Sequence, residues 1–265
     1  MAQPISLSNP TSSWRWALAG GLLGLVLTLV IWAPARWLAA GVERALGDRV
    51  RLSDVRGSVW QGSTQLTLTA GAGSVDGISL PGRLDWQLSP SWTGAVAHVS
   101  AHCCMTQPLQ IRLAVVGLNR LQLAVSDAVS QWPASLLSGL GTPWNTIQAR
   151  GQLQLNTRGV RAVVQGGEVQ LEGQVQLDAI NMASRLSTLQ PMGSYRFTLQ
   201  GGRPSTVALT TLEGSLDLSG QGQWDAQGLH FQGEAKANAD RVGALSNLLN
   251  IIGRREGARA IIQVN

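Results

Sequence analysis

The 265 residues suffice for one or two domains with a sizeable core. Only one uncharged apolar run approaches twenty residues, which excludes a bundle of membrane helices. The net charge of +5 comes almost wholly from arginine, with Lys236 the only lysine, and no aromatic-basic cluster points to nucleic acid. Scarce aromatics apart from 10 Trp, together with 31 Gly and 13% charge, suggest a chain of short β-strands.

Residues 1–15 read as a short polar tail. Residues 16–35 carry no charge and are long enough to cross the ~30 Å hydrocarbon layer as a helix. The expected anchor face comprises Trp16, Leu22, Leu23, Leu25, Val26, Leu27, Leu29, Val30, Ile31 and Trp32. Trp14, Trp16, Trp32, Arg15 and Arg36 suit the headgroup level at its two ends. Ala33-Pro34-Ala35 imitates a signal-peptidase site, but the apolar run exceeds most signal h-regions and Pro34 is a poor neighbour for a scissile bond. An uncleaved anchor is therefore expected. Arg36, Arg44, Arg49, Arg51 and Arg56 follow the span while only Arg15 precedes it, so charge counting alone would keep the remainder in the cytoplasm. Long domains translocate largely regardless of such counts, which leaves the direction open.

Leu38, Val42 and Leu46 predict an interfacial helix within the linker 36–48, ending at Gly47. From Arg49 the apolar period becomes 2. Strands are expected at 50–54, 65–69, 83–88, 95–101, 109–115 and 121–125, before a short helix over 134–140. Further strands are expected at 146–156, 160–164, 168–177, 194–199, 206–212, 215–219, 222–224, 229–237 and 260–264, the last preceded by a helix over 242–253. The chain thus divides into a β-rich half at 49–145 and a second at 146–265, each passing through strands into a Leu-rich helix with glycine behind it. The fold class is mainly β: one transmembrane helix, then a curved, mostly antiparallel meander with two short helices. Its apolar face needs cover from helices, from itself or from a ligand. A membrane β-barrel would call for more aromatic residues than 5% and no spanning helix.

His98, His102 and Cys104 share one face of a strand, yet neither HExxH nor paired CxxC accompanies them, so no metal is expected. Cys103 and Cys104 form a vicinal pair that could bond to each other, stay reduced or join another chain. No GxSxG elbow appears, His230 sits in an alternating strand, and Glu168 and Glu172 are most simply solvated. No glycine-rich phosphate loop joins a strand to a helix. These observations describe a protein without catalytic residues or cofactor, acting through its surfaces. Trp60, between glycines, and Leu248, Leu249 and Ile252 on one helix stripe are candidate partner contacts, though each also suits internal packing.

Several longer stretches carry a resemblance: GSVWQG at 57–62, PWNTI at 143–147, GQLQL at 151–155, GSYRFTLQG at 193–201, TLEGSLDLSGQGQW at 211–224, FQGEAKA at 231–237 and LSNLLNIIGRREG at 245–257. With the anchor they resemble protein N of the bacterial type II secretion system. The resemblance implies a single-pass inner-membrane protein with a cytoplasmic tail and a periplasmic β-domain, accessory to the machine that exports folded proteins. It implies partners among the other inner-membrane secretion components and the outer-membrane secretin. The chain also looks like a distant relative of AsmA-type proteins, whose curved sheets can shelter lipid, and this supplies an alternative role as a lipid-binding groove.

Overall fold

A computed structural model describes residues 13–71, 77–117, 120–166, 168–225 and 227–264. The expected tail before Ser13 lies outside them. Helix α1 spans Ser13–Ile31, and every side chain from Trp14 to Ile31 is exposed. It stops short of the expected 35 because Pro34 pushes its predecessor out of helical geometry. Pro34 then starts α2, Ala35–Leu46, from an extended conformation, and Gly47 ends it at φ 69°.

Sixteen strands follow in one antiparallel sheet. They are β1 Val50–Gly57, β2 Gln61–Thr69, β3 Gly77–Ser79, β4 Leu84–Ser91, β5 Gly94–Ala101, β6 Leu109–Val115, β7 Arg120–Val125 and β8 Ala128–Pro133. The remainder are β9 Arg150–Gln165, β10 Glu168–Ala183, β11 Gly193–Gly202, β12 Ser205–Gly214, β13 Leu216–Asp225, β14 Gly228–Ala237, β15 Arg254–Glu256 and β16 Arg259–Val264. Neighbours in the sheet are mostly neighbours in sequence. The exceptions are β3, which lies on β2, β8, which lies on β9, and β16, which sits between β14 and β15.

The expected meander is therefore present, with longer strands than the sequence runs suggested. Runs 146–156 and 160–164 merge into β9, and 168–177 extends to Ala183 in β10. A register shift beside Gly159, at φ 59°, and Gly173, at φ 84°, adds a residue without ending the pairing. The start of the expected 146–156 strand is instead a single helical turn, α3, Trp144–Ile147, and the 134–140 segment is a 3-10 helix. Helix α4 covers Val242–Ile252.

Register sorts the two faces. Leu52–Leu66, Trp86–Val99, Leu113–Leu123 and Leu177–Phe197 pair on one face, whereas Gln61–Gln87, Asp178–Arg196 and Gln221–Gln232 pair on the other. Hairpins β1–β2, β4–β5, β6–β7, β9–β10, β11–β12 and β13–β14 all turn at one end of the strands, hereafter the hairpin end. The helical connections all lie at the opposite, capped end. There α4 places Leu245, Leu248 and Leu249 on Tyr195, Leu216, Ala235 and Ala260, and the 3-10 helix places Leu136 against Leu80, Ala101 and Cys104. Gly139 allows that 3-10 helix to come close, since a Cβ there would lie 2.7 Å from the Leu68 carbonyl oxygen. Toward the hairpin end the apolar face stays open: Val115 is 56% and Val169 68% exposed.

Both sheet edges are blunted. Glu43 of α2 accepts the outward N–H of Leu52 on β1 at 2.6 Å, and the far edge is the three-residue, charged β15. Truncating Leu249, which is 0% exposed, to alanine should lower stability by about 2–5 kcal/mol in denaturant unfolding of the full chain in detergent. Val169→Thr at the open end should change it by less than about 0.5 kcal/mol. Equal effects at the two positions would mean that α4 does not cap the core.

Candidate functional site: the anchor junction and the sheet faces

The GSVWQG stretch is the joint between α1 and the sheet. Gly57, at φ 91°, closes β1, and Gly62 leaves room for the Trp86 ring, which a Cβ at that position would approach to 2.5 Å. Between them, Val59 donates its N–H to the Ala33 carbonyl at 2.8 Å, and Pro34 bridges Ser58. The Trp60 indole N–H donates to the Val30 carbonyl at 2.8 Å. Val30 is in the last turn of α1, whose carbonyls have no partner within the helix, so the indole supplies what the helix lacks. Trp86 donates to the Val59 carbonyl at 3.1 Å, and Leu88 N–H to the Trp60 carbonyl at 2.6 Å, which ties the joint to β4.

Behind the joint, Asp54 adopts φ 49° at an irregularity in β1. Its carboxylate receives both Arg56 and Arg83, while Arg83 also donates to the Asp54 carbonyl at 2.6 Å and to Ser63 Oγ at 3.0 Å. Hydrogen bonds from Arg56 and then Arg83 hold the carboxyl below its ordinary pKa.

Helix α2 does not turn its whole stripe outward, as an interfacial helix would. Ala35 and Ala39 are buried beside the edge of β1, while Arg36, Trp37 and Leu46 remain exposed. The small residues give close approach to the sheet, and that close packing was hidden by counting only Leu38, Val42 and Leu46.

The histidine-cysteine cluster resolves differently. Cys103 and Cys104 are bonded to each other, which removes the Cys104 thiolate as a ligand. His102 Nδ1 lies 3.5 Å from Asp85, and His98 Nε2 lies 3.4 Å from Gln110 Nε2. Among the described residues no group of three potential ligands converges. His230 stands 4.0 Å from Asp225 on the polar face.

That polar face carries a shallow groove of about 1260 Å³ across β12, β13, β14 and β16, lined by Thr206, Thr210, Gln221, Gln223, His230 and Gln232. A smaller one of about 490 Å³ lies at the anchor side, with Gln61, Ser63, Gln87 and His98. The first offers mainly amides and hydroxyls beside His230 and Glu234, whereas the second sets Arg56, Asp85, His98 and His102 among its amides and hydroxyls. Between them, Arg196 grips Asp178 with bonds of 2.7 and 2.8 Å, and Gln176 adds a third at 3.0 Å. Arg196 above all keeps the Asp178 carboxyl below its ordinary pKa. On the apolar face, the Tyr195 hydroxyl is buried without a hydrogen-bond partner among the described residues, and desolvation, then the Asp217 charge, push its pKa up.

The four expected contact residues have internal roles. Leu248 and Leu249 are 3% and 0% exposed in the core, Ile252 packs beside them, and Trp60 is half-buried with its N–H engaged. Outward, α4 presents Asn247, Asn250 and Ile251. Arg255 donates to Asn250 Oδ1 at 3.2 Å and Arg254 to Glu256 at 3.0 Å. Two positions escaped the sequence reading. Glu43 is the lone acid of α2, and its role appears only when β1 is known to be an edge. Trp92, in SPSWTG, is fully exposed at the β4–β5 tip.

The family described as type II secretion system, protein N, matches residues 48–262. No curated protein and no solved structure matches the chain.

Trp60→Phe keeps the ring but leaves Val30 without its donor, and should cost about 0.5–1.5 kcal/mol with faster proteolysis around Ala33–Ala35. An unchanged cleavage rate would show that the bond does not hold the joint. For Asp178, the folded pKa lies below the unfolded value of about 3.9, so its contribution is present above that range and is lost as pH falls through the folded value. Asp178→Asn should lower neutral-pH stability by about 0.5–1 kcal/mol and flatten the acid limb of a stability-against-pH curve.

Proposed function

Since the chain belongs to the type II secretion system protein N family over residues 48–262, its role is accessory to type II secretion, and we propose that it is a non-enzymatic scaffold of that assembly. In this reading α1 crosses the inner membrane, the tail is cytoplasmic, and the sheet stands in the periplasm. Helix α1 has the length and apolarity for a span, and none of it is buried in the protein. The Cys103–Cys104 disulfide agrees with an oxidising compartment. The observation that carries the scaffold reading is the joint: Trp60, Val59 and Pro34 fix a large, rigid sheet to the end of the anchor. Such a body can present fixed surfaces to inner-membrane components and to the outer-membrane secretin.

Within this reading the division into 49–145 and 146–265 marks two presenting halves of one sheet. Leu248 and Leu249 support a contact surface from beneath, while Ile252 with Ile251 and the ring face of Trp60 are its accessible parts.

A second reading follows from the open apolar face. Leu113, Val115, Leu121, Val164 and Val169 are each more than a third exposed, and a lipid chain would cover them. Mass spectrometry of lipids released from the purified full chain separates the readings, since recovery at one lipid per protein supports a groove and recovery of annular lipid alone opposes it. For the scaffold, tagged protein should co-purify with inner-membrane secretion components, and deletion should impair exoprotein release. Failure of both would remove the scaffold role.

A further inference from the structure

The β4–β5 hairpin projects from the same end of the sheet to which the anchor is fixed. Gln61 pairs with Gln87, and the Trp60 carbonyl takes the N–H of Leu88, so these levels coincide with the joint. Strand β4 then continues to Ser91, which pairs with Gly94. Four residues beyond Gln87, at about 3.3 Å each, carry the tip about 13 Å further out along the strand. On that tip Trp92 is fully exposed. No charged residue occurs from Trp86 to Ala97, although β4 itself carries Asp85 just before this run and the strands beyond carry Arg112 and Arg120. The next hairpin, held to this one by Val115 N–H on the Thr93 carbonyl, adds Val115 and Val116 at 56% and 44% exposure.

A large indole at an uncharged hairpin tip has no internal contact to explain it. Indoles favour the headgroup level of a bilayer, where ring and N–H each find a suitable medium. The anchor leaves the sheet beside this tip, with Trp32 79% and Trp37 53% exposed around the exit. We propose that Trp92 is a second membrane foothold, seated with Val115 and Val116 in the headgroup layer of the leaflet from which α1 emerges. The proposal rests on α1 spanning the bilayer. Its consequence is orientational: two separated attachments stand the hairpin end on the membrane and point the capped end away, which a single helix cannot do.

The test uses the full chain reconstituted in vesicles of phosphatidylethanolamine and phosphatidylglycerol. An environment-sensitive fluorophore is placed in turn at Thr93→Cys, at Leu23→Cys within α1 and at Thr188→Cys at the capped end, the native cysteines being bonded to each other. Headgroup-level spin-labelled lipid should quench the Thr93 label several-fold more than the Thr188 label, and adding Trp92→Ser should bring it down to the Thr188 level. A Leu23 label strongly quenched by a second lipid, spin-labelled deep in its acyl chain, beside a Thr93 label no more quenched by the headgroup probe than Thr188, overturns the foothold and leaves the span intact. So does a Thr93 label shielded from lipid quencher and aqueous iodide alike, the result that a protein neighbour or a second copy would give. An unquenched Leu23 label removes the span itself, and the foothold with it.

Discussion

The bond from the Trp60 indole to the Val30 carbonyl is the interaction on which the rest of the structure depends. A helix end has spare carbonyls, and a hairpin has a turn to dispose of; the joint answers both needs with one side chain. In energy the bond is modest, about 1 kcal/mol. Its weight comes from position, because it stands with Val59–Ala33 and Pro34–Ser58 where a single chain crossing joins two bodies. Without these contacts the sheet would hang from the anchor as from a linker. With them, every surface of the sheet acquires a direction relative to the helix.

The sheet itself meets a second constraint. Sixteen strands with one apolar face need cover along their whole length, and among the described residues the 3-10 helix, α4, Ile147 of α3 and Leu186 and Leu189 of the β10–β11 connection supply it. All of these sit at the capped end, where Leu136, Leu245, Leu248 and Leu249 close two cores. The hairpin end is left apolar and open, so the exposed face and the anchor share one side of the molecule. Edges are handled separately. Glu43 satisfies an outward N–H of β1, and β15 ends the other edge with charge, which limits uncontrolled strand pairing. The protein thereby keeps its polar groove and its open face as surfaces while closing its edges.

How much of this was legible in the sequence follows from the range of the interactions involved. Alternation is local, so nearly every strand and the apolar face were readable, as were the apolar helix α1 and α4. Bulges at Gly159 and Gly173 were not, since a glycine that ends a strand and one that bends it look alike without the partner register. The packing of Ala35 and Ala39 on β1 was hidden because small residues leave no hydrophobic periodicity. Leu248 and Leu249 read as a core stripe before a docking stripe, and the sheet above them decides that they are buried. The vicinal cysteines left their bonding open, and Trp92 drew no notice until the register placed its hairpin beside the anchor. In each case the missing information was a contact distant in sequence.

The account turns on which side of the membrane the sheet occupies, and charge counting points the opposite way from the proposed periplasmic placement. A phosphatase that folds only in an oxidising compartment, fused after Asn265 in the full chain and expressed in a bacterium with a type II system, reads this directly. The account predicts an active enzyme, and silence from a cytoplasm-only reporter at the same position. An inactive phosphatase with a bright cytoplasmic reporter would place the sheet in the cytoplasm and contradict it.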